Sequence, residues 1–205
     1  MAWPFANGGG SAPATGTLEE KLEFLAGFGF RLAEPFGPEE LLSSWPRQRF
    51  EKPGFHSILF GLGFKEERPP WRPHCVNMCS IDRECIGPRG SYVRIADEMK
   101  RIAEGSLPIE NIRDYFSFKE NKAWLEFELH GQTIHVDCRV KHDWLDPALF
   151  GRFTQLVEEC DTEKTFLHFN STDQVAVIGC AKKDALERLK HAGIPVERLT
   201  ASWLC

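Results

Sequence analysis

The clearest pattern in the chain is an alternation of apolar and polar residues over positions 121–140. Every second residue is apolar in two runs, and most residues between them are charged or polar. A period of two is typical of β-strands with one buried face. His130-Gly131 supplies a turn between the runs, because glycine tolerates a positive φ. The segment therefore predicts an antiparallel β-hairpin. Its apolar positions are Ala123, Leu125, Phe127, Leu129, Ile134, Val136, Cys138 and Val140.

The position of this turn also predicts which residues lie opposite each other. On the polar face, Glu126 should lie opposite His135, and Trp124 opposite Asp137. Such a face can be a solvated sheet surface with ordinary cross-strand pairs. It can equally be a binding surface, or an acid–base site built on a carboxylate–imidazole pair. The apolar pairs that the same turn predicts are Phe127 with Ile134 and Leu125 with Val136.

Helix signals flank the hairpin on both sides. Thr17 and Glu20 form a capping box, and Gly37-Pro38 and Asp146-Pro147 each place a proline at a first helical position. Helical spacing of apolar residues then predicts helices that begin near residues 18, 38, 92, 147 and 181. Residues 55–64 are apolar throughout, and periodicity leaves a strand and a buried helix equally open.

The remaining segments carry weaker signals. We predict a short strand at 75–81, a single helical turn at 108–113, a second hairpin formed by 165–170 and 175–180 around Ser171-Thr172-Asp173, and a last edge strand within 196–204. Together these elements predict an α+β fold with a mostly antiparallel sheet, a central β-hairpin and four to six flanking helices. Residues 1–16 are expected to form a flexible leader and residues 17–205 a single domain.

Composition narrows the class of protein. The net charge of −5 and the lack of a basic stripe argue against a nucleic-acid partner. Because no window of 18 apolar residues exists, we expect no membrane span. The seven cysteines are odd in number and widely scattered, and the N-terminus does not resemble an export signal. We therefore expect reduced thiols in a cytoplasmic protein.

Few residues suggest catalysis or metal binding. His74, Cys75, Cys79 and Cys85 lack a second pair of zinc ligands, and in a strand Cys75 and Cys79 would lie about 13 Å apart. Asp82 and Glu84 precede a glycine-containing turn but have no further acids at calcium-loop spacing. Cys138 and His135 fall on opposite faces of the hairpin, which excludes a nucleophile–base pair. The chain also has no phosphate-binding loop and no dinucleotide fingerprint. We expect no cofactor and no bound metal.

Three stretches of the chain stand out together. They are Asp82-Arg83-Glu84-Cys85-Ile86 with Gly90-Ser91-Tyr92-Val93-Arg94-Ile95, Ala123-Trp124-Leu125-Glu126-Phe127, and Asp143-Trp144-Leu145-Asp146-Pro147. These stretches resemble a family of uncharacterised bacterial cytoplasmic proteins, and the resemblance covers roughly residues 18–204. Small acidic α+β proteins of this kind are similar, as a class, to immunity proteins that neutralise antibacterial toxins. The resemblance transfers no site residue.

These observations favour a non-catalytic protein-binding module, of the immunity type that neutralises a bacterial toxin. The six tryptophans and sixteen phenylalanines support this hypothesis, because exposed aromatic residues anchor protein interfaces. The alternative is a small cytoplasmic hydrolase or a metal-dependent enzyme that uses His74 with Cys75, or Asp82 with Glu84. The residues predicted to contact a partner are Trp124, Glu126, His135, Asp137, Asp143 and Trp144.

Overall fold

The computed structural model of the protein describes residues 13–84, 86–87, 90–169 and 174–201. These residues form seven helices and seven strands. The helices are α1 Leu18–Ala26, α2 Pro38–Ser44, α3 Arg47–Phe50, α4 His56–Gly63, α5 Ser91–Ile102, α6 Ala148–Cys160 and α7 Asp184–His191. The strands are β1 Met78–Asp82, β2 Ile109–Ser117, β3 Lys122–Leu129, β4 Gln132–Cys138, β5 Lys164–Phe169, β6 Val175–Lys182 and β7 Val196–Arg198.

The strands form two antiparallel sheets. A four-stranded sheet has the order β1-β6-β5-β7, and a three-stranded sheet has the order β2-β3-β4. Every strand pair in both sheets is antiparallel. The predicted α+β fold with mostly antiparallel pairing is therefore confirmed. The described residues contain seven helices where four to six were expected, and the shortest, α3, is a single turn of four residues.

The predicted central hairpin is β3 and β4, and its register is confirmed. Glu126 pairs with His135 and Trp124 pairs with Asp137 across the two strands. His130 and Gly131 both have positive φ values, of 51° and 76°. Two such residues suit a two-residue turn whose twist matches that of the flanking strands. The turn therefore fixes which side chains face the core and which face solvent.

The four-stranded sheet is buried on both faces. Along β6, Ala176, Ile178 and Cys180 belong to one core, which also contains the apolar sides of α5, α6, β2 and β3. The alternate residues Val177 and Ala181 belong to a second core with α1, α4 and α7. Because successive side chains of a strand point to opposite faces, one strand serves both cores. The three-stranded sheet thus packs its apolar face inward and leaves its polar face outward.

The structure decides between the two alternatives for one predicted segment and corrects the prediction for another. Within residues 55–64, His56–Gly63 form a helix, α4, and not a strand, with Ile58, Leu59 and Leu62 buried. The predicted helical turn at 108–113 is wrong, because residues 109–117 form strand β2. A bulge between Glu110 and Arg113, with Asn111 at a φ of 50°, shifts the register of β2. The extra residue breaks the alternation that would have identified the strand.

The chain ends and the turn of the second hairpin lie partly outside the described residues. Of the predicted leader 1–16, residues 1–12 lie outside them, whereas the Ala14 carbonyl accepts a hydrogen bond of 2.8 Å from the N–H of Gly54. The strands β5 and β6 confirm the second hairpin, but its turn Ser171-Thr172-Asp173 is not described. β7 confirms an edge strand through Arg198. Within the described residues, no helix is both long and apolar enough to cross a lipid bilayer.

Candidate binding face

The outward side of the three-stranded sheet brings together four of the six predicted contact residues. Trp124 and Glu126 on β3 lie beside His135 and Asp137 on β4. On the other side of β3, Arg113 pairs with Glu126 and Tyr115 pairs with Trp124. We call this set of six residues, Arg113, Tyr115, Trp124, Glu126, His135 and Asp137, the hairpin face.

Glu126 is the centre of a charged network on this face. Arg113 donates to its carboxylate through Nε, at 2.7 Å, and also through Nη2. The Nδ1 atom of His135 lies 3.3 Å from the second carboxylate oxygen. Hydrogen bonds from Arg113 first, and from His135 second, lower the pKa of Glu126 below its ordinary value. Glu126 is therefore ionised at neutral pH and occupied by partners within the chain.

His135 links Glu126 to Asp137. Its Nε2 atom lies 3.3 Å from Oδ1 of Asp137, so each ring nitrogen lies near a carboxylate oxygen. A neutral imidazole has only one N–H to donate. The side chain of Asp137 is 86% exposed. Asp137 is therefore the carboxylate of the hairpin face that is most open to an approaching molecule.

Three rings form a row across the strands of the hairpin face. The rings of Tyr115 and Trp124 are nearly parallel, with centroids 6.0 Å apart and an interplanar angle of 17°. Trp124 and His135 follow at 5.5 Å and 37°. The Tyr115 hydroxyl donates to Glu120 at 2.7 Å, and this contact raises the pKa of Tyr115. The row is a partly apolar strip bordered by charged groups.

The concave features near this face are small. A shallow groove of about 180 Å³ lies beside it. That volume is below the range of about 300–1,000 Å³ typical of small-molecule sites, and it suits a single side chain of a partner better. The residues that line the groove are Asn111, Arg113, Glu126, Phe127, Glu128 and Thr133.

Asp143 and Trp144, the other two predicted contact residues, lie in the loop between β4 and α6. The guanidinium of Arg83 lies 5.8 Å from the centre of the Trp144 ring. The carbonyl of Asp143 accepts a hydrogen bond of 2.9 Å from the N–H of Ile86. These contacts attach the loop to the segment that follows β1. Asp143 and Trp144 therefore belong to a neighbouring region, and their part in partner binding stays a prediction.

His74 and Cys75, the first pair in the enzymatic alternative, are buried and engaged with different partners. Nδ1 of His74 lies 3.0 Å from the carbonyl oxygen of Gly61. The Cys75 thiol donates to the side-chain oxygen of Asn77 at 3.3 Å. Burial raises the pKa of Cys75 to about 11. A thiol with this pKa stays protonated at neutral pH, and the thiolate is the nucleophilic form.

Asp82 and Glu84, the second pair, form a local turn. Oδ1 of Asp82 accepts a hydrogen bond of 2.9 Å from the N–H of Glu84, as aspartate commonly does two residues before a backbone donor. Among the described residues, no three His, Cys, Asp or Glu side chains are grouped so that they could hold a metal ion. Cys85, one of the sequence candidates, lies outside the described residues.

Sequence reasoning missed Arg113 and Tyr115, which complete the hairpin face. Both were assigned to the wrong element, or to none, because the bulge at Asn111 hides the strand pattern. A signal was nevertheless present in the order of Tyr115, Phe116 and Ser117. Tyrosine and phenylalanine favour strands, and Phe116 is buried between two residues that are only half-buried.

Comparison with known proteins adds no relative. No family model matches the chain, and neither the curated proteins nor the solved structures contain a significant match to it.

Proposed function

We propose that the protein is a non-catalytic protein-binding module and that the hairpin face is its contact surface. The observation that carries the proposal is the row of Tyr115, Trp124 and His135 across three paired strands. Aromatic residues are enriched at the centres of protein interfaces and are surrounded there by polar groups. The sheet already holds the row in place, so binding would not have to order it.

The charges support a basic partner. The chain has a net charge of −5, and Asp137 presents an open carboxylate beside Trp124. A complementary basic surface would be steered toward such a protein, and the association rate would fall as salt screens the charges. A basic side chain that packs beside the ring row and pairs with Asp137 would use both features of the face at once.

We propose further that this partner is a toxin and that the protein acts in the cytoplasm as an immunity-type inhibitor. The supporting observations are the acidic charge and the free state of the five cysteines in the described residues. A basic, nuclease-like toxin would fit the charge of the chain. An inhibitor of this type needs a contact surface but no catalytic group.

Photo-crosslinking tests the contact surface. Benzoylphenylalanine is placed at position 124, and at position 190 in the control, where Lys190 is exposed on α7. We expect a discrete adduct with one protein from position 124 and none from position 190. Equal adducts from both positions, or an adduct from position 190 alone, would remove the hairpin face from the proposal.

Co-expression tests the inhibitor role of the captured partner. The partner is produced alone and together with the protein, and cell growth is followed. Growth arrest by the partner alone, with recovery in the presence of the protein, is the expected result. A partner that is harmless on its own leaves a protein-binding module but contradicts the immunity role.

A further inference from the structure

A second surface is formed by the segment from Phe64 to Val76. Of the four large apolar side chains that are exposed in the described residues, three lie in this segment: Phe64, Trp71 and Val76. Trp71 is the most exposed of them, at 58%. Single exposed apolar residues are ordinary, but several gathered in one short segment indicate an interaction site. We call residues 64–76 the Trp71 surface.

The loop that carries Trp71 is tied together at several points. Lys65 and Pro73 form an antiparallel bridge at its base. The Glu66 N–H donates to the Arg72 carbonyl at 2.9 Å, and the Arg72 guanidinium binds both oxygens of the Glu66 carboxylate at 2.8 Å. These contacts hold the loop in one conformation before any partner arrives, which lowers the entropy cost of binding.

Trp71 has a backbone conformation that a large side chain rarely adopts. Its φ is 53°, in the left-handed region. Its N–H donates to the Arg68 carbonyl at 2.9 Å, which closes the turn that holds it there. Residues in this region cost free energy and cluster at binding and active sites. A strained and ordered loop that exposes a tryptophan is better explained by a contact than by solvation.

The charges of this segment indicate which kind of partner it can contact. Lys65 pairs with Glu98, and Glu66 with Arg72, so these ions neutralise one another. Glu67 and Arg68 are exposed, and neither has an ion-pair partner among the described residues. They are adjacent and of opposite sign. With Glu98 counted, the charges at this surface therefore balance, although the chain carries −5.

We infer that the Trp71 surface is the contact between two copies of this chain. Two proteins of charge −5 repel each other, so self-association requires a neutral patch. In a two-fold symmetric interface the same surface serves both copies, and each residue pair occurs twice. Glu67 of one copy then faces Arg68 of the second copy, and the reverse pair forms as well. Trp71 and Phe64 fill the centre between them.

The size of the surface predicts a weak dimer. A tryptophan or phenylalanine side chain buries at most about 150–250 Å², and Trp71 and Phe64 add less than this to an interface because they are 58% and 37% exposed. With the loop around them, these side chains reach only the low end of interface sizes, below about 600 Å² per partner. Interfaces of this size are transient, and we expect a dissociation constant in the micromolar range.

Sedimentation velocity of the full chain between about 1 and about 100 µM tests the inference, since this range brackets micromolar affinity. The wild-type protein should shift reversibly from monomer to dimer. Trp71→Asn should raise the dissociation constant at least about tenfold, and asparagine tolerates the positive φ, so the loop is retained. Phe118→Asn is the matched control, because Phe118 is equally exposed, at 55%, on another loop.

A charge exchange tests the two-fold pairing separately. Glu67→Arg alone and Arg68→Glu alone should each weaken the dimer, because like charges then face each other, and the double exchange should restore it. A wild-type protein that stays monomeric, a dimer that survives Trp71→Asn, equal loss in the Phe118→Asn control, or a double exchange without recovery would overturn the inference. None of these outcomes bears on the hairpin face, because none of the exchanged residues belongs to it.

Discussion

Because His168 is buried, we expect the free energy of unfolding to fall in mild acid. It lies on β5, is only 7% exposed, and pairs with Ile178 in the four-stranded sheet. Burial, and to a smaller degree the charge of Arg83, lowers the pKa of His168 to about 4, from an ordinary value of 6.5. Below pH 6.5 the unfolded chain takes up a proton that the folded protein does not. The stability of the fold must therefore fall as the pH falls toward 4.

The size of this effect follows from the two pKa values. Each pH unit between them changes the free energy of unfolding by about 1.4 kcal/mol. Passage from pH 6.5 to pH 5 should therefore cost about 2 kcal/mol, and passage to pH 4 about 3 kcal/mol. Because stabilities of 5–15 kcal/mol are usual for proteins, the change is large enough to measure.

Urea unfolding of the wild type and of His168→Gln, at several pH values from 7 to 4.5, measures the effect. Glutamine does not titrate, so the difference between the two proteins isolates the histidine from the carboxylates that titrate in the same range. We expect the stability advantage of the wild type over the variant to shrink by about 1.4 kcal/mol for each pH unit below 6.5. Parallel stability curves would refute the reasoning.

Two further predictions concern buried groups. Lys21 is fully buried and donates to the carbonyls of Phe50, Lys52 and Gly54 at 3.0, 2.6 and 2.9 Å. Lys21→Met leaves these carbonyl acceptors without the ammonium group and should lower the free energy of unfolding, measured by urea titration, by about 3 kcal/mol. Lys52→Met is the control: Lys52 is exposed, and its replacement should change the free energy of unfolding by less than about 0.5 kcal/mol. Burial also raises the pKa of Cys75 to about 11 and those of Cys138 and Cys180 to about 12. In a variant with Cys85 and Cys205 replaced by serine, a thiol reagent at pH 8 should modify the half-buried Cys160 first, because the more deeply buried thiols are less accessible and stay protonated. Modification of Cys75 at the same rate as Cys160 would support the hydrolase alternative instead.

The hairpin was predictable because its information is local. Alternation places Trp124 and Glu126 on one face, and the turn at His130-Gly131 fixes their partners His135 and Asp137. The pleat of a strand and the geometry of a two-residue turn need no contribution from the rest of the chain. For this reason four of the six residues of the hairpin face could be named from the sequence.

The rest of the fold depends on pairings that local patterns do not encode. β1 pairs with β6, which follows it only after the whole three-stranded sheet and α6. Because a core lies on each side of β5 and β6, these strands are almost continuously buried, and their sequence does not alternate in a way that would reveal which elements cover them. The buried Lys21 is equally hidden, because its three acceptors lie about 30 residues further along the chain.

The sequence-based prediction of the hairpin face was incomplete for a more specific reason. The bulge in β2 places Asp114 inward, where its carboxylate accepts hydrogen bonds from the N–H groups of Gly90, Tyr92 and Val93 at the start of α5. A charged residue at an inward position contradicts the simple pattern of a half-buried strand. Arg113 and Tyr115, on either side of Asp114, were therefore lost from the prediction together with the strand.

The affinity of the crosslinked partner for variants of the hairpin face tests the central claim most directly. Isothermal titration calorimetry with the purified partner compares the wild type with Trp124→Ala and Asp137→Ala, and with Lys190→Ala as the control. The account predicts that Trp124→Ala weakens binding at least about tenfold, as expected for an interface centre, and that Asp137→Ala reduces its salt dependence. Affinities within about twofold of the wild type for both face variants would contradict it.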